Sequence, residues 1–205
     1  CLRPLNVLIP DNSMISPEYP GAVISGNTET AQALVGTLFG ALRVAASSQG
    51  TMNNFIWGNE EFQYYETICG GSGATPDHDG VDAVQTHMTN SRLTDPEILE
   101  WRFPVLLESF EIRHGSGGAG ERKGGNGVVR RVKFLSHFDA NVLSGHRRIP
   151  PYGLEGGESG EIGANFVEHR DGSVTQLSGM DQIALQPGDV FVIKTPGGGG
   201  YGEKK

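Results

Sequence analysis

The sequence of 205 residues has few cysteines, no long apolar run and no excess of basic residues. Its two cysteines, Cys1 and Cys69, are too few for a disulfide framework, so a reduced, cytoplasmic setting is the default expectation. No apolar run approaches the length of about 18 residues that indicates a transmembrane helix. The net charge of -8 argues against non-specific binding to nucleic acids or acidic membranes, which requires clustered Lys and Arg.

The start of the chain also lacks expected features. The first residue is Cys1 and not methionine, and residues 1–14 contain neither the basic region nor the long apolar region of a secretory signal. We therefore expect the chain to be a piece of a longer protein, although removal of a tag would give the same start.

Glycine is the residue in excess. The chain has 31 glycines, roughly 15% of its residues and about twice the usual share. They follow no fixed period, which excludes a collagen-like or solenoid repeat. Seven of them fall between Gly115 and Gly127, in the stretch "FEIRHGSGGAGERKGGNGVVRR".

This glycine-rich stretch does not match the known phosphate-binding loops. A P-loop ends in Gly-Lys followed by Ser or Thr, whereas Lys123 is followed by Gly124. A dinucleotide loop opens a helix, whereas "GSGGAG" leads into the strand-like run "GVVRRVKF". Two readings remain: an ordered surface that wraps a ligand or a neighbouring subunit, or a flexible connection.

The patterning predicts an α+β fold, β-rich, with a mixed or antiparallel sheet. One long amphipathic helix is expected over about residues 28–47, because Leu34, Leu38 and Leu42 form one apolar stripe that should pack on the sheet. A short helix is expected in "TDPEILEW", where Pro96 suits the first helical position. The predicted strands are "FQYYETI", "DAVQTHM", "VLLESFEIR", "GVVRRVKFL", "NVLSG", "GANFVEH", "VTQL" and "DVFVIKT".

Two groups of residues are of types found in catalytic or metal sites, and each also has a structural explanation. Cys69 is a candidate nucleophile if His78 or His87 serves as its base, but an inert buried cysteine at the end of a strand is the commoner case. The acidic and histidine residues of 77–87 are of types that bind Zn²⁺ or Mn²⁺, but Asp also favours turns for its own backbone hydrogen bonds.

The segment "THMTNSRLTDPEILEWRFP" is dense in hydroxyl, amide and charged groups. Thr89, Asn90 and Arg92 are our candidate substrate-binding residues, because Arg92 can bind a carboxylate with two parallel hydrogen bonds. Helix capping explains the neighbouring Thr94, Asp95 and Glu97 without any ligand. Further along, the cluster of His146, Arg147 and Arg148 either binds an anion or pairs with acidic loops.

Several of these strings occur in an order typical of one family. The sequence resembles the C-terminal part of the hydantoinase B/5-oxoprolinase family over almost its whole length. The resemblance is carried by "QGTMNNFIWGN", "YYETICGGSGA", "THMTNSRLTDPEILEWRFPV", "RHGSGGAGERKGGNGVVR", "PPYGLEGGESG" and "TPGGGGYG". The string "TPDHDGVDA" departs from the pattern, which puts functional roles for His78 and Asp79 in doubt. Asn126 stands where the resemblance leads us to expect an acidic residue, which weakens any charge role for that position.

The resemblance implies an ATP-dependent cyclic amide hydrolase, foremost one that opens 5-oxo-L-proline to L-glutamate; an N-methylhydantoinase-type enzyme or a related lactam hydrolase or carboxylase is the alternative. ATP and Mg²⁺ would bind to a hydantoinase A-type subunit or domain, the expected partner in an oligomer. Zn²⁺ or Mn²⁺ would bind in an N-terminal portion of the B part that this chain lacks.

We expect residues 1–205 to form a single C-terminal domain of a hydantoinase B-type subunit, inactive by itself. It would line a site shared with the rest of the enzyme, with Gly117, Gly118, Gly124 and Gly125 as loop contacts. A different class of role, a non-catalytic assembly domain, stays open, and so do the catalytic residues.

Overall fold

The computed structural model describes residues 6–21, 23 and 26–204, so Cys1 lies outside the described residues. Within them the chain forms two antiparallel sheets and little helix, an α+β fold as predicted. A π-helical turn, Gly26–Thr30, leads into α1, Ala31–Ala41, and the second helix, α2, is Pro96–Arg102. The strands are β1 Asn54–Gly58, β2 Gln63–Thr67, β3 Val105–Ile112, β4 Val128–Phe134, β5 Phe138–Leu143, β6 Ala164–Glu168, β7 Val174–Leu177, β8 Met180–Leu185 and β9 Val190–Lys194.

The strands divide into a four-stranded sheet of order β2-β1-β5-β8 and a five-stranded sheet of order β3-β4-β9-β6-β7. Aromatic side chains join their inner faces. Phe55 of β1 has its ring centroid 4.5 Å from that of Phe191 in β9, and Trp57 lies 5.4 Å from Phe134 in β4. All four side chains are almost completely buried. The core is therefore a sandwich whose centre is aromatic.

The long helix predicted over residues 28–47 is wrong in its length and in its packing. Helix α1 ends at Ala41 because Arg43 takes a left-handed φ of 57°, and the amides of Arg43 and Val44 donate to Gly40 and Phe39. These bonds form a Schellman-type end, which closes the helix before the predicted boundary.

The apolar stripe of α1 faces outward instead of lying on a sheet. Leu34, Leu38 and Leu42 are 44%, 53% and 70% exposed. The buried side chain of the helix is Gln32, whose amide donates to the Thr86 carbonyl at 2.7 Å. Periodicity located the helix correctly but assigned the wrong face to the interior.

The remaining sequence predictions are mostly confirmed. Helix α2 begins as expected, with the Asp95 side chain accepting from the Glu97 amide and Pro96 at the first position. The run "DAVQTHM" is not a strand and makes only an isolated bridge, between Val84 and Gly70. Strands β1 and β8 were not predicted, because "NFIWG" and "MDQIAL" are short and only partly β-branched or aromatic.

The glycine-rich segments pack on one another as extended backbone, and we call this region the glycine bundle. It comprises residues 46–50, 71–74, 116–127, 151–160 and 195–202. The amide of Gly198 donates to the Gly125 carbonyl at 2.8 Å, and the amide of Gly199 donates to the Ser47 carbonyl at 2.8 Å. Because these backbones bond to each other, the glycine-rich loops are ordered and are not a flexible connection.

Close approach, and not an unusual φ, requires glycine at most positions of the bundle. A β-carbon on Gly198 would overlap the carbonyl of Ser72, and one on Gly71 would overlap the carbonyl of Gly125. The atoms in the way belong to the backbone, which cannot rotate aside as a side chain can. Any larger residue would therefore separate segments that hold each other by hydrogen bonds.

Gly198→Ala is expected to lower the free energy of unfolding by roughly 3 kcal/mol, because the added methyl group meets backbone on a fully packed side. Gly36→Ala is the matched control: a β-carbon there meets nothing within 4 Å, and the site lies within α1. It should raise stability by about 0.5–1 kcal/mol. Urea denaturation measures both, and equal stability of Gly198→Ala and the wild type would contradict close packing as the reason for glycine.

Candidate functional site

The three residues predicted to bind substrate differ in their exposure to solvent. Thr89 is buried, and its hydroxyl lies 3.5 Å from that of Thr67 and 3.3 Å from that of Ser91. Asn90 and Arg92 are exposed, and neither makes a hydrogen bond to another described residue. The structure thus leaves Asn90 and Arg92 available for a contact, whereas Thr89 is placed to hold the segment.

A buried ion pair lies beside Arg92. Arg130 donates to both carboxylate oxygens of Glu66, at 2.7 and 2.9 Å, and the two side chains are 2% and 4% exposed. The Tyr64 hydroxyl is within 3.1 Å of the same carboxylate, and burial next to Glu66 raises the pKa of Tyr64 to about 12. Arg92 and Arg130 both line a surface hollow of about 370 Å³.

This pair was not among the sequence predictions, although the sequence carries a signal for it. Along β4, alternate residues face the core, so Arg130 occupies an interior position between Val128 and Val132. A charged residue at an inward position of a strand predicts a buried partner of opposite charge.

The cysteine and metal hypotheses find no support in the described residues. Cys69 is buried, and burial raises the pKa of its thiol to about 11, which disfavours the thiolate. Asp79 accepts a hydrogen bond from the Lys123 amide, and Asp82 accepts from the Asn126 amide at 2.6 Å. These carboxylates thus fasten the turn to the glycine bundle.

No group of three His, Cys, Asp or Glu side chains suited to a metal ion occurs within the described part of the chain. The described residues therefore do not fit a Zn²⁺ or Mn²⁺ ion, and the ion that the family resemblance implies would bind in a portion of the B part outside this chain.

The four glycines predicted as loop contacts lie inside the glycine bundle. The amide of Gly124 donates to the carbonyl of Gly118, and β-carbons on Gly117 and Gly125 would overlap neighbouring backbone. Their observed contacts are therefore with this chain's own backbone. Contact of these glycines with substrate stays a prediction.

A second concave site lies where the start of α1 meets the segment after β5. This cleft, which we call the Glu29 cleft, has a volume of about 490 Å³. Its polar lining comes from the π-helical turn and from the cluster His146, Arg147 and Arg148 that the sequence analysis singled out. Glu29 was missed, because an acidic residue in the first turn of a helix is usually explained by the helix dipole.

The buried carboxyl of the Glu29 cleft is well hydrogen-bonded on one oxygen. Glu29 Oε1 accepts from the Thr51 hydroxyl at 2.9 Å, from the Met52 amide at 3.0 Å and from the Asn54 side chain at 2.8 Å. Burial raises the pKa of the Glu29 carboxyl, and these bonds and the charge of Arg147 offset the rise only in part. The group is held rigidly, with its protonation state shifted towards neutral.

The cationic side of the cleft is equally fixed. Arg147 donates to the Gly145 carbonyl at 2.7 Å and to the side-chain oxygens of Asn53 at 3.0 Å and Asn165 at 2.9 Å. Burial lowers the pKa of Arg147 and also that of His146. The cleft therefore combines a carboxyl, a guanidinium and an imidazole in partly buried positions.

The sequence matches one known family over almost its whole length. The family model Hydantoinase B/oxoprolinase matches residues 1–204, and the chain belongs to this family. It is 45% identical over 204 residues to a 5-oxoprolinase of Dictyostelium discoideum and 45% identical over 202 residues to 5-oxoprolinase 1 of Arabidopsis thaliana. These matches cover 100% and 98% of the chain, but only 16% of each relative.

A solved structure shares the fold. The crystal structure of the ATP-dependent caprolactamase from Pseudomonas jessenii superimposes with a TM-score of 0.67 at 30% identity, covering 81% of this chain and 32% of that one. The chain thus corresponds to about a third of that protein's chain and about a sixth of the two 5-oxoprolinases. None of the helices in the described ranges has the length and apolar character needed to cross a membrane.

Removing one partner of the buried ion pair should lower the free energy of unfolding far more than replacing both partners by apolar residues. Glu66→Ala leaves Arg130 buried and unpaired, so the free energy of unfolding should fall by about 3–5 kcal/mol. The double variant Glu66→Leu, Arg130→Met replaces the pair by apolar side chains and should recover most of that loss. Thermal or urea unfolding of the three proteins tests this, and a double variant no more stable than Glu66→Ala would contradict it.

Proposed function

We propose that this chain supplies part of an ATP-dependent cyclic amide hydrolase that opens 5-oxo-L-proline to L-glutamate. The observation that carries the proposal is the 45% identity to 5-oxoprolinases across the whole chain. The fold shared with an ATP-dependent caprolactamase supports the wider class, because that protein is also named for a lactam substrate and for ATP.

The chemistry explains why such an enzyme needs ATP. A lactam nitrogen is a poor leaving group, so water does not open the ring readily. Transfer of the γ-phosphoryl group to the lactam oxygen activates the carbonyl carbon, water attacks it, and the ring C–N bond breaks as phosphate is released. The products are L-glutamate, ADP and phosphate.

In this proposal the chain provides scaffold and lining, and ATP binds elsewhere. No P-loop string occurs in the sequence. ATP and Mg²⁺ would bind to a hydantoinase A-type subunit or domain, and this chain would be the C-terminal segment of the B-type part, in the cytoplasm. The buried free thiol of Cys69 is compatible with that compartment.

An assembly role is the second candidate, and the outward face of α1 favours it. Leu34, Leu38 and Leu42 present an apolar stripe to solvent on a helix that covers neither sheet. Exposed apolar patches of this kind mark surfaces that contact other protein. In this case the chain would hold the complex together and touch no substrate.

The function is tested by turnover of the assembled enzyme. The complete B-type protein with its A-type partner, or the complete parent protein where the two are fused, should form L-glutamate from 5-oxo-L-proline, with one ADP and one phosphate per glutamate. Omission of ATP or of the partner should abolish product, and the 205-residue chain alone should be inactive. Glutamate formation by the chain alone, or none by the assembly, would contradict the proposal.

Substitution of the exposed predicted contacts separates the two candidate roles. If Asn90 and Arg92 bind substrate, Asn90→Ala with Arg92→Ala should lower kcat/KM by about 100-fold, or about 2.7 kcal/mol, with assembly unchanged. Arg170→Ala, which also removes an exposed guanidinium, is the matched control and should have no effect. Lost assembly, with turnover falling only to the same extent, would instead favour the structural role; both readouts unchanged would contradict the predicted contacts.

A further inference from the structure

The Glu29 cleft has the size and the fixed walls of a small-molecule site. Its volume of about 490 Å³ falls in the range of ligand pockets, roughly 300–1,000 Å³. Asn53 and His146 beside it, neither of them glycine, take left-handed φ values of 45° and 48°. Such conformations persist only where the surrounding structure fixes them, and they concentrate at functional sites.

Within the described residues, the arginines of the cleft form no ion pair with a carboxylate, although the charge of Glu29 acts on Arg147. Arg147 bonds to one carbonyl and two amide oxygens, and none of the described carboxylates forms an ion pair with it. Of its five N–H groups, the bonds to these acceptors leave one, on Nη1, available. Arg148 lines the same cleft, is exposed and has no hydrogen-bond partner in the part of the chain that the structure describes.

Partly buried guanidinium groups are normally paired with an anion. Arg147 is such a group and has only neutral hydrogen-bond acceptors among the described residues, and the exposed Arg148 adds a second positive charge to the same cleft. A ligand carboxylate would pair with both arginines, with Arg148 as the mobile donor and Arg147 as the fixed one.

The cleft also offers hydrogen-bond acceptors, on Glu29 and His146. All three hydrogen bonds to Glu29 go to Oε1, so Oε2 has no donor among the described residues. His146 bonds through Nδ1 to the Ile149 carbonyl at 2.7 Å. That carbonyl can only accept, so Nδ1 carries the proton and Nε2 is left as an acceptor.

We propose that the Glu29 cleft binds a small cyclic amide bearing a carboxylate, with Arg147 and Arg148 on the carboxylate and Glu29 Oε2 on the ring N–H. The choice of 5-oxo-L-proline as ligand rests on the proposed function, whereas the pairing of a carboxylate with an N–H group rests on the cleft. This site lies on the π-helical turn that precedes α1 and on the segment after β5, and uses none of Thr89, Asn90 and Arg92.

Equilibrium binding to the 205-residue chain, without ATP, tests the proposal. The probes are 5-oxo-L-proline, 2-pyrrolidinone, which lacks the carboxylate, and cyclopentanecarboxylate, which lacks the N–H group. Isothermal titration should show 5-oxo-L-proline binding at least about tenfold more tightly than either analogue, because each analogue leaves one charged or buried partner unmet.

Two variants assign the contacts. Arg148→Ala should weaken 5-oxo-L-proline binding by about tenfold and leave 2-pyrrolidinone unchanged. Glu29→Gln keeps an oxygen for Thr51, Met52 and Asn54 but replaces Oε2 by an amide donor, so 5-oxo-L-proline should lose its advantage over cyclopentanecarboxylate. Arg102→Ala, at an exposed cation of α2, is the matched control for lost charge, and circular dichroism verifies that each variant is folded.

Three results would overturn the proposal: no binding of 5-oxo-L-proline, binding equal to that of 2-pyrrolidinone, or folded variants that bind as the wild type does. The outcome is independent of turnover. If the assembled enzyme hydrolyses 5-oxo-L-proline but the cleft binds none, the proposed site is wrong and the proposed function is supported. If the cleft binds 5-oxo-L-proline but the assembly does not turn it over, the site is supported and the proposed function is wrong.

Discussion

Close packing of backbone on backbone is the constraint on which the rest of this structure depends. In the glycine bundle, segments that are far apart in sequence approach until only a hydrogen atom fits between them, as at Gly71, Gly124 and Gly198. Their amides and carbonyls bond across the segments, which satisfies polar groups that would otherwise be buried without partners. The bundle fixes the paths of the loops at one end of the sandwich, and so it fixes where their polar side chains lie.

Two groups of ionisable residues differ in how completely their hydrogen-bonding capacity is used within the chain. The pair of Glu66 and Arg130 is closed: each charge meets the other in two parallel hydrogen bonds, and little is left for a ligand. The Glu29 cleft is open, since Arg147 has only neutral acceptors and Glu29 uses one oxygen. A closed pair specifies packing, whereas an open set of donors and acceptors is suited to recognition.

Much of the fold could be predicted from local patterns. The strands with regular alternation, the cap of α2 at Asp95 and the turn between β6 and β7 follow from side-chain chemistry within a few residues. The outward face of α1 could not be predicted in this way, because an apolar stripe indicates that some surface is to be covered and does not identify the surface. The end of α1 before Arg43 could not be predicted either, since arginine seldom takes a left-handed φ.

The sequence by itself determined the family, the class of fold and the need for many glycines, because these depend on residue order and on the absence of side chains. Only the tertiary structure decided what those glycines do, since close approach is a relation between segments such as 71–74 and 195–202. The same holds for the candidate site. Glu29 and Arg147 line one cleft although more than a hundred residues of chain lie between them, and Thr89 is buried against Thr67 whereas Arg92, three residues on, is exposed. No local pattern records either arrangement.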